Sequence, residues 1–338
     1  MQALVQKTYG SAEVMHIAEI DKPEIADNEV LLRVRAAGVN PADWAIMSGL
    51  PYVARPVYGL RQPKIAIRGT DVAGVVEAIG SAVTRFSVGD EVFGSAKGSY
   101  AQFAAAAEDQ IARKPASLTF EGAAAVPMAG LVALQAVRDH GKVRAGQKVL
   151  INGASGGIGT FAVQIAKALG AEVTAVVSTR NVELVRAIGA DHVIDYTKED
   201  FTRSGLQYDF ILDNVSNHSL SDLRRALAPT GMLVPNGGRF DKKWMASGGR
   251  IVQGKVMFRF GSQTLGNFLV DMGYEGLLAL TELIDAGQVA PVLDRSFPLS
   301  ETAQALDHVG AGHARGKTTI AVDTAAERRV VTLLREVA

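Results

Sequence analysis

The segment Val149-Leu-Ile-Asn-Gly-Ala-Ser-Gly-Gly-Ile-Gly-Thr-Phe-Ala-Val-Gln-Ile-Ala-Lys167 constrains this chain more than any other. An apolar run of strand character enters a tight glycine turn and leaves as a helix with an apolar face. Gly156 and Gly159 lack a Cβ, so the backbone can approach a pyrophosphate and the helix can pack closely on the strand. The helix start then presents N–H groups to the phosphates. A bare glycine pattern says little; a strand before it and a helix after it, inside a βαβ unit, give it weight. Gly153, Ser155, Gly156, Gly157, Ile158 and Gly159 are therefore expected to hold a dinucleotide.

The flanking sequence supplies that βαβ context. Glu121 to His140 is Ala-rich with apolar residues at helical spacing. After it come a strand at Lys148-Val-Leu-Ile-Asn, a helix over Thr160 to Leu169, a strand over Glu172 to Val177 and a helix over Val182 to Ile188. His192-Val-Ile-Asp, Phe210-Ile-Leu-Asp and Met232-Leu-Val-Pro continue the strands. Such alternation predicts a doubly wound parallel sheet covered on both faces, an α/β fold. The first third differs. Leu31-Leu-Arg-Val-Arg-Ala, Val72-Ala-Gly-Val-Val-Glu-Ala-Ile and Val88-Gly-Asp-Glu-Val-Phe-Gly read as strands and turns, with few helical periods before Phe120. Strand-like segments return at Val292 to Leu299 and Lys317 to Val322. The expected plan is a β-rich domain of residues 1–120 and 286–338, with a dinucleotide-binding domain of residues 121–285 inserted into it. Apolar positions at 330, 331, 333, 334 and 337 suggest a short amphipathic helix in the tail.

Cofactor choice is read at the end of the second strand of the α/β series. A site for NAD usually places Asp or Glu there for the ribose 2′-hydroxyl. This chain has Ser178-Thr-Arg-Asn181. Arg180 can pair with a 2′-phosphate, and the hydroxyls of Ser178 and Thr179 can donate to it. Tyr196, after the third strand, is a further candidate. The expected cofactor is NADPH.

Composition excludes several alternatives. Lys plus Arg and Asp plus Glu each number 35, so no global field draws nucleic acid or anionic lipid, and no Lys/Arg run makes a local one. With no cysteine, disulfides, iron–sulfur clusters and thiolate zinc sites are excluded. The histidines at 16, 140, 192, 218, 308 and 313 form no HxH or HExxH pair, so no metal is expected. The N-terminus lacks the basic and apolar regions of a signal peptide, and the uncharged stretch of residues 122–137 is short of the roughly 20 residues of a span. A soluble, cytoplasmic protein without membrane or nucleic-acid partners is expected.

Gly38-Val-Asn-Pro-Ala-Asp43, Gly69-Thr-Asp-Val-Ala-Gly74, Val88-Gly-Asp-Glu-Val-Phe-Gly94, the glycine loop, Ser178-Thr-Arg-Asn, Leu184-Val-Arg-Ala-Ile-Gly-Ala-Asp-His-Val-Ile-Asp-Tyr196 and Gly316-Lys317 occur in fixed order. The chain thereby resembles, over nearly its whole length, the zinc-free quinone oxidoreductase (zeta-crystallin-like) branch of the medium-chain dehydrogenase/reductase superfamily. Zinc alcohol dehydrogenases carry a Cys ligand near the position of Asn40 and a Gly-His-Glu near Gly69-Thr-Asp, and this chain has neither. The resemblance implies a GroES-like N-terminal domain, a Rossmann domain and a cofactor cleft between them. It implies that Asn40, Asp43 and Tyr52 serve the reaction, the first two near the nicotinamide, and adds Asn214 and Lys317 to the cofactor contacts. Some members use a lysine for the 2′-phosphate where this chain has Val182, which leaves that task to Arg180. A homodimer through a last Rossmann strand near Lys255 to Phe260 would be usual.

The implied reaction is hydride transfer from NADPH to a small-molecule acceptor, a quinone first. An enone or alkenal double-bond reductase of the same superfamily and a non-catalytic, crystallin-like NADPH-binding protein are the alternatives. The stretch Ser48 to Arg68 carries Tyr52, Arg55, Tyr58 and Arg61. It is expected to cover the acceptor site, its aromatics stacking on a quinone and its arginines steadying an anion.

Overall fold

The computed structural model describes residues 1–64, 67–236, 248–259, 261–312 and 314–322. The expected tail helix and His313 lie outside these. Six parallel strands form one sheet, in the spatial order His192–Asp195, Glu172–Val177, Lys148–Asn152, Tyr208–Asp213, Leu227–Pro235, Thr264–Leu265. In chain order this is 3-2-1-4-5-6, the Rossmann winding, which reverses direction between Lys148–Asn152 and Tyr208–Asp213. Val149, Leu150 and Ile151 are fully buried because helices cover both faces of the sheet. Burying each such side chain contributes about 1.5–3 kcal/mol.

The second sheet has seven strands and draws on both ends of the chain. Glu29–Val39 is its spine, pairing antiparallel with Asp71–Ile79, Phe103–Ala107 and Lys317–Ala321. Leu293–Pro298 joins beyond Lys317–Ala321, and Glu91–Ser95 and Ile111–Arg113 extend the other edge. Buried apolar side chains pack on both faces of the parallel sheet, around Leu131, Phe161 and Phe210 on one and around Leu150, Ile211 and Leu223 on the other, and a separate group around Leu32, Tyr100 and Ile320 underlies the second sheet.

The helical spacing over 121–140 is realised as Phe120–Ala124, Pro127–Leu134 and a π-helical turn Gln135–His140, with the break at Pro127, which can begin a helix but has no N–H to continue one. Two expectations are corrected. A helix over Pro41–Ser48 appears where few helical periods are visible. Pro41 opens it, the Asp43 carboxylate accepts the Asn40 N–H at 2.9 Å, and Gly49 ends it in the left-handed conformation at φ 69°. The region near Lys255 is not a strand. Gly248–Met257 is helical, and the edge strand is Thr264–Leu265. Gly254 and Phe258, four residues apart, are both buried, the spacing of a helical face.

Candidate functional site

A cleft of about 610 Å³ opens at the carboxyl ends of the parallel strands, where the winding reverses. This is where open α/β sheets place their ligands, and the size suits a small-molecule site. At the reversal Asn152 donates to Asp213 at 2.9 Å and to Asn217 at 3.0 Å, tying the two central strand ends together.

The glycine loop forms the floor, with Gly153, Ser155, Gly156, Gly157, Ile158 and Gly159 all lining the cleft. Gly153 sits at φ 78°, a conformation open to glycine at no steric cost. A Cβ on Gly159 would lie 2.2 Å from the Gly153 carbonyl oxygen and 2.7 Å from the Ala154 Cα, so helix and strand pack at backbone distance there. The helix Gly157–Ala168 thus starts against the cleft and turns its first N–H groups, which have no intrahelical partner, toward it.

Ser178, Arg180 and Tyr196 line one end, Tyr196 being 57% exposed at its rim. Asn181 braces this end, its amide nitrogen donating to Ser155 at 2.9 Å and Ser178 at 3.3 Å. Thr179 does not line the cleft: its hydroxyl donates to Asp195 at 2.6 Å. Asp195, at the end of the neighbouring strand, also accepts from the Thr197 hydroxyl and N–H and lies 3.3 Å from Lys198. Hydrogen bonds from Thr179 and Thr197 hold its carboxyl well below the usual carboxylate range. An ionised carboxylate therefore stands beside the turn, its oxygens taken up by Thr179 and Thr197.

Asn40, Thr318 and the stem of Lys317 form the opposite wall. Gly316 N–H donates to the Ser155 carbonyl at 2.8 Å, and the Lys317 stem packs against Gly157, so the two sheets meet at the glycine loop. The Lys317 ammonium points away from the cleft. It is buried and donates to Asn40 Oδ1 at 2.5 Å, to the Val39 carbonyl at 3.3 Å and to Asp71 at 3.4 Å. Asp71 is fully buried; burial pushes its carboxyl up and Lys317 opposes that shift. Asp43 lies behind Asn40, not in the cleft. It accepts from the Asn40 N–H and from the Tyr100 hydroxyl at 2.9 Å, and burial raises its pKa to about 6. Burial also keeps the Tyr100 phenol protonated, well above its ordinary value.

Tyr52 is likewise outside the cleft. It sits on a short turn, Tyr52–Ala54, with the Arg55 guanidinium 4.5 Å from its ring centre. Arg55, Tyr58 and Arg61 are likewise not among the residues that line this cleft. The structure thus gathers the cofactor set, Asn214 included, with Thr179 turned aside, and of the three reaction candidates leaves only Asn40 at the cleft wall. Asp71, Tyr100, Asn181 and Thr318 were missed. Gly69-Thr-Asp signalled Asp71; nothing signalled Tyr100.

The residues present fit a polar dinucleotide. Asn214 Nδ2, Asn181 Oδ1 and Thr318 Oγ1 belong to cleft residues, are buried and have no hydrogen-bond partner among the described residues. Asn236 donates to Asn214 Oδ1 at 2.8 Å, which fixes the Asn214 amide with its nitrogen as the unused donor. Buried polar atoms of this kind call for a polar ligand. Among the described residues, no three His, Cys, Asp or Glu come together as a metal site, and no helix is long and apolar enough to cross a membrane.

Residues 26–116 match the model of the alcohol dehydrogenase GroES-like domain, and residues 188–320 that of the zinc-binding dehydrogenase. The chain is 36% identical over 359 residues to the mitochondrial NAD(P)H oxidoreductase RTN4IP1 of Bos taurus, covering 95% of this chain and 89% of the relative. It is 31% identical over 344 residues to the chloroplastic NADPH-dependent alkenal/one oxidoreductase of Arabidopsis thaliana, covering 95% and 79%. Among solved structures it superposes on the quinone oxidoreductase of Coxiella burnetii with a TM-score of 0.83 at 30% identity, covering 96% and 99%.

Proposed function

The chain belongs to the medium-chain dehydrogenase/reductase superfamily, in its zinc-free quinone oxidoreductase branch, and on that premise we propose that it is an NADPH-dependent oxidoreductase that reduces a quinone without zinc. The carrying observation is the cleft itself: a glycine loop and helix start at one side, Ser178, Arg180 and Tyr196 at the end, and a buried lysine–carboxylate–amide cluster at the opposite wall. The glycine loop would hold the pyrophosphate and the Ser178–Arg180 turn the 2′-phosphate. Bound there, the dinucleotide would supply a hydride from its nicotinamide ring.

The protein's share is positioning, exclusion of water and charge. The Asn40 wall, held by Lys317 and by the Pro41–Ser48 helix start, sets the distance between the two halves of the site. Reducing a ketone leaves an alkoxide, whose conjugate acid is about as weak as water, and a metal helps greatly. Reducing a quinone leaves a phenolate-like anion of pKa about 10. A hydrogen bond and solvent can protonate such an anion, so the quinone reading asks for no Lewis acid.

A second reading, reduction of an activated carbon–carbon double bond, is favoured by the similarity to the alkenal/one oxidoreductase. Steady-state NADPH oxidation against a quinone, an enone and an aldehyde tests both. Turnover is expected with the quinone and not with the aldehyde. Turnover with the enone alone would replace the first reading by the second, and tight NADPH binding with no acceptor turned over would make this a binding protein.

A further inference from the structure

The loop 52–64 carries an exposed apolar tip. Val53, Val57 and Leu60 are 61, 68 and 69% exposed, and Pro56 and Tyr58 stand out beside them. Val53 and Val57 are four residues apart along two consecutive helical turns, Tyr52–Ala54 and Arg55–Tyr58, and so share a face. A flexible loop could bury such side chains by folding back; this one is fastened. Arg55 donates to the Gly49 carbonyl at 3.0 Å, and its guanidinium lies between the rings of Tyr9 (4.7 Å) and Tyr52 (4.5 Å). The Tyr9 hydroxyl donates to the Gly59 carbonyl at 2.7 Å, and the Lys64 N–H and ammonium to the Tyr58 and Pro56 carbonyls. The aliphatic tip is therefore held out in water by its own framework, an arrangement that marks an interaction surface.

Charge selects the partner. No Asp or Glu occurs from Trp44 to Thr70, while Arg61 and Lys64 stand exposed beside the tip. The segment 6–10 that carries Tyr9 adds Lys7 and no acid. The chain as a whole is neutral, so this is a local cationic field, built by leaving acids out and not by a run of basic residues. A small apolar tip flanked by Arg61 and Lys64 matches an anionic lipid surface, where apolar side chains enter the acyl boundary and Lys or Arg meets the headgroups.

We propose that the loop 52–64 is a docking site for an anionic membrane surface, with Val53, Val57 and Leu60 as the inserted tip and Arg61 and Lys64 as its headgroup contacts. Binding is peripheral and reversible, since the buried area is small and much of the attraction is electrostatic. An acceptor partitioned in a bilayer would be met at its own surface. The docking does not depend on which acceptor the cleft reduces.

The test is flotation of the full chain with vesicles of phosphatidylcholine alone or mixed equally with phosphatidylglycerol. Binding is expected to the mixed vesicles and to be lost in about 1 M salt, where the Debye length is about 3 Å. Val57→Asp with Leu60→Asp should weaken that binding about tenfold, leaving the melting temperature and NADPH oxidation by a water-soluble quinone unchanged. Arg61→Gln with Lys64→Gln should abolish the preference for the anionic vesicles. Failure to float with either vesicle would overturn the proposal, as would flotation indifferent to both double variants. So would light scattering showing that Val57→Asp with Leu60→Asp splits a dimer, since the tip would then meet a second copy. A changed KM for the soluble quinone would overturn it in favour of an acceptor-site role. Flotation needs no turnover, so its failure is distinct from failure of the proposed reaction.

Discussion

At Lys317 a positive charge is taken out of water and shared among Asn40, Asp71 and the Val39 carbonyl. Removing one partner of such a buried pair leaves the other charge uncompensated. Lys317→Met is therefore expected to cost about 3–5 kcal/mol in urea unfolding at neutral pH, with the loss shrinking in acid as Asp71 takes up a proton. Asp43 gives a pH signature of its own. Its pKa is raised from 3.8 to about 6, so the folded state binds more protons than the unfolded chain between those values. Stability from this group is present below pH 3.8 and is lost as pH rises through about 6. Asp43→Asn removes that slope. Unfolding free energies of the two proteins should diverge across this window, in favour of Asn at the upper end, by on the order of 3 kcal/mol; parallel curves would show that Asp43 titrates normally. None of this burial was legible in the sequence. Gly38-Val-Asn-Pro-Ala-Asp43 identifies a family position, but whether an Asp faces the cleft or lies behind it depends on Tyr100, 57 residues away, which closes over it. Thr179 was misplaced for a similar reason: its competitor for hydrogen bonding, Asp195, comes from the next strand.

Elements were easier to read than side chains. The parallel strands were visible because they are buried on both faces and read as unbroken apolar runs. The glycine loop was visible because a close approach excludes every other residue. Gly159→Ala tests that approach: the added methyl would meet the Gly153 carbonyl oxygen at 2.2 Å. A stability loss of about 1–3 kcal/mol should be seen in thermal melts, together with weaker NADPH binding by fluorescence titration. The turn Thr179–Asn181 offers a second test. Arg180→Ala should raise KM for NADPH by about 10–100-fold, as for one hydrogen bond to a charged group, with kcat and the KM for NADH little changed. Elements failed to be legible where capping or a local break, not periodicity, decides. Pro41–Ser48 has no clean apolar stripe and forms because Pro41 and Asp43 start it and Gly49 stops it. Near Lys255 the resemblance implied a strand, yet the packing follows the helical spacing of Gly254 and Phe258.

For the whole molecule, the two sheets meet where Gly316 touches Ser155 and the Lys317 stem lies on Gly157. The strand that completes the second sheet is thus also a wall of the cleft. This joint was half legible: strand-like segments at both ends implied that the C-terminus returns to the first domain, but not that it would carry a buried cation into it. The central proposal is that this joint and the glycine loop make a hydride-transfer site for NADPH that uses no zinc. Its most direct test is NADPH oxidation by a quinone before and after exhaustive chelation, with NADH run in parallel and zinc measured in the same samples. Chelation is expected to leave kcat unchanged, and kcat/KM to be at least roughly tenfold higher for NADPH than for NADH, as one charge-assisted contact would give. Activity lost with the metal and restored by zinc, or equal use of NADH, would contradict the proposal.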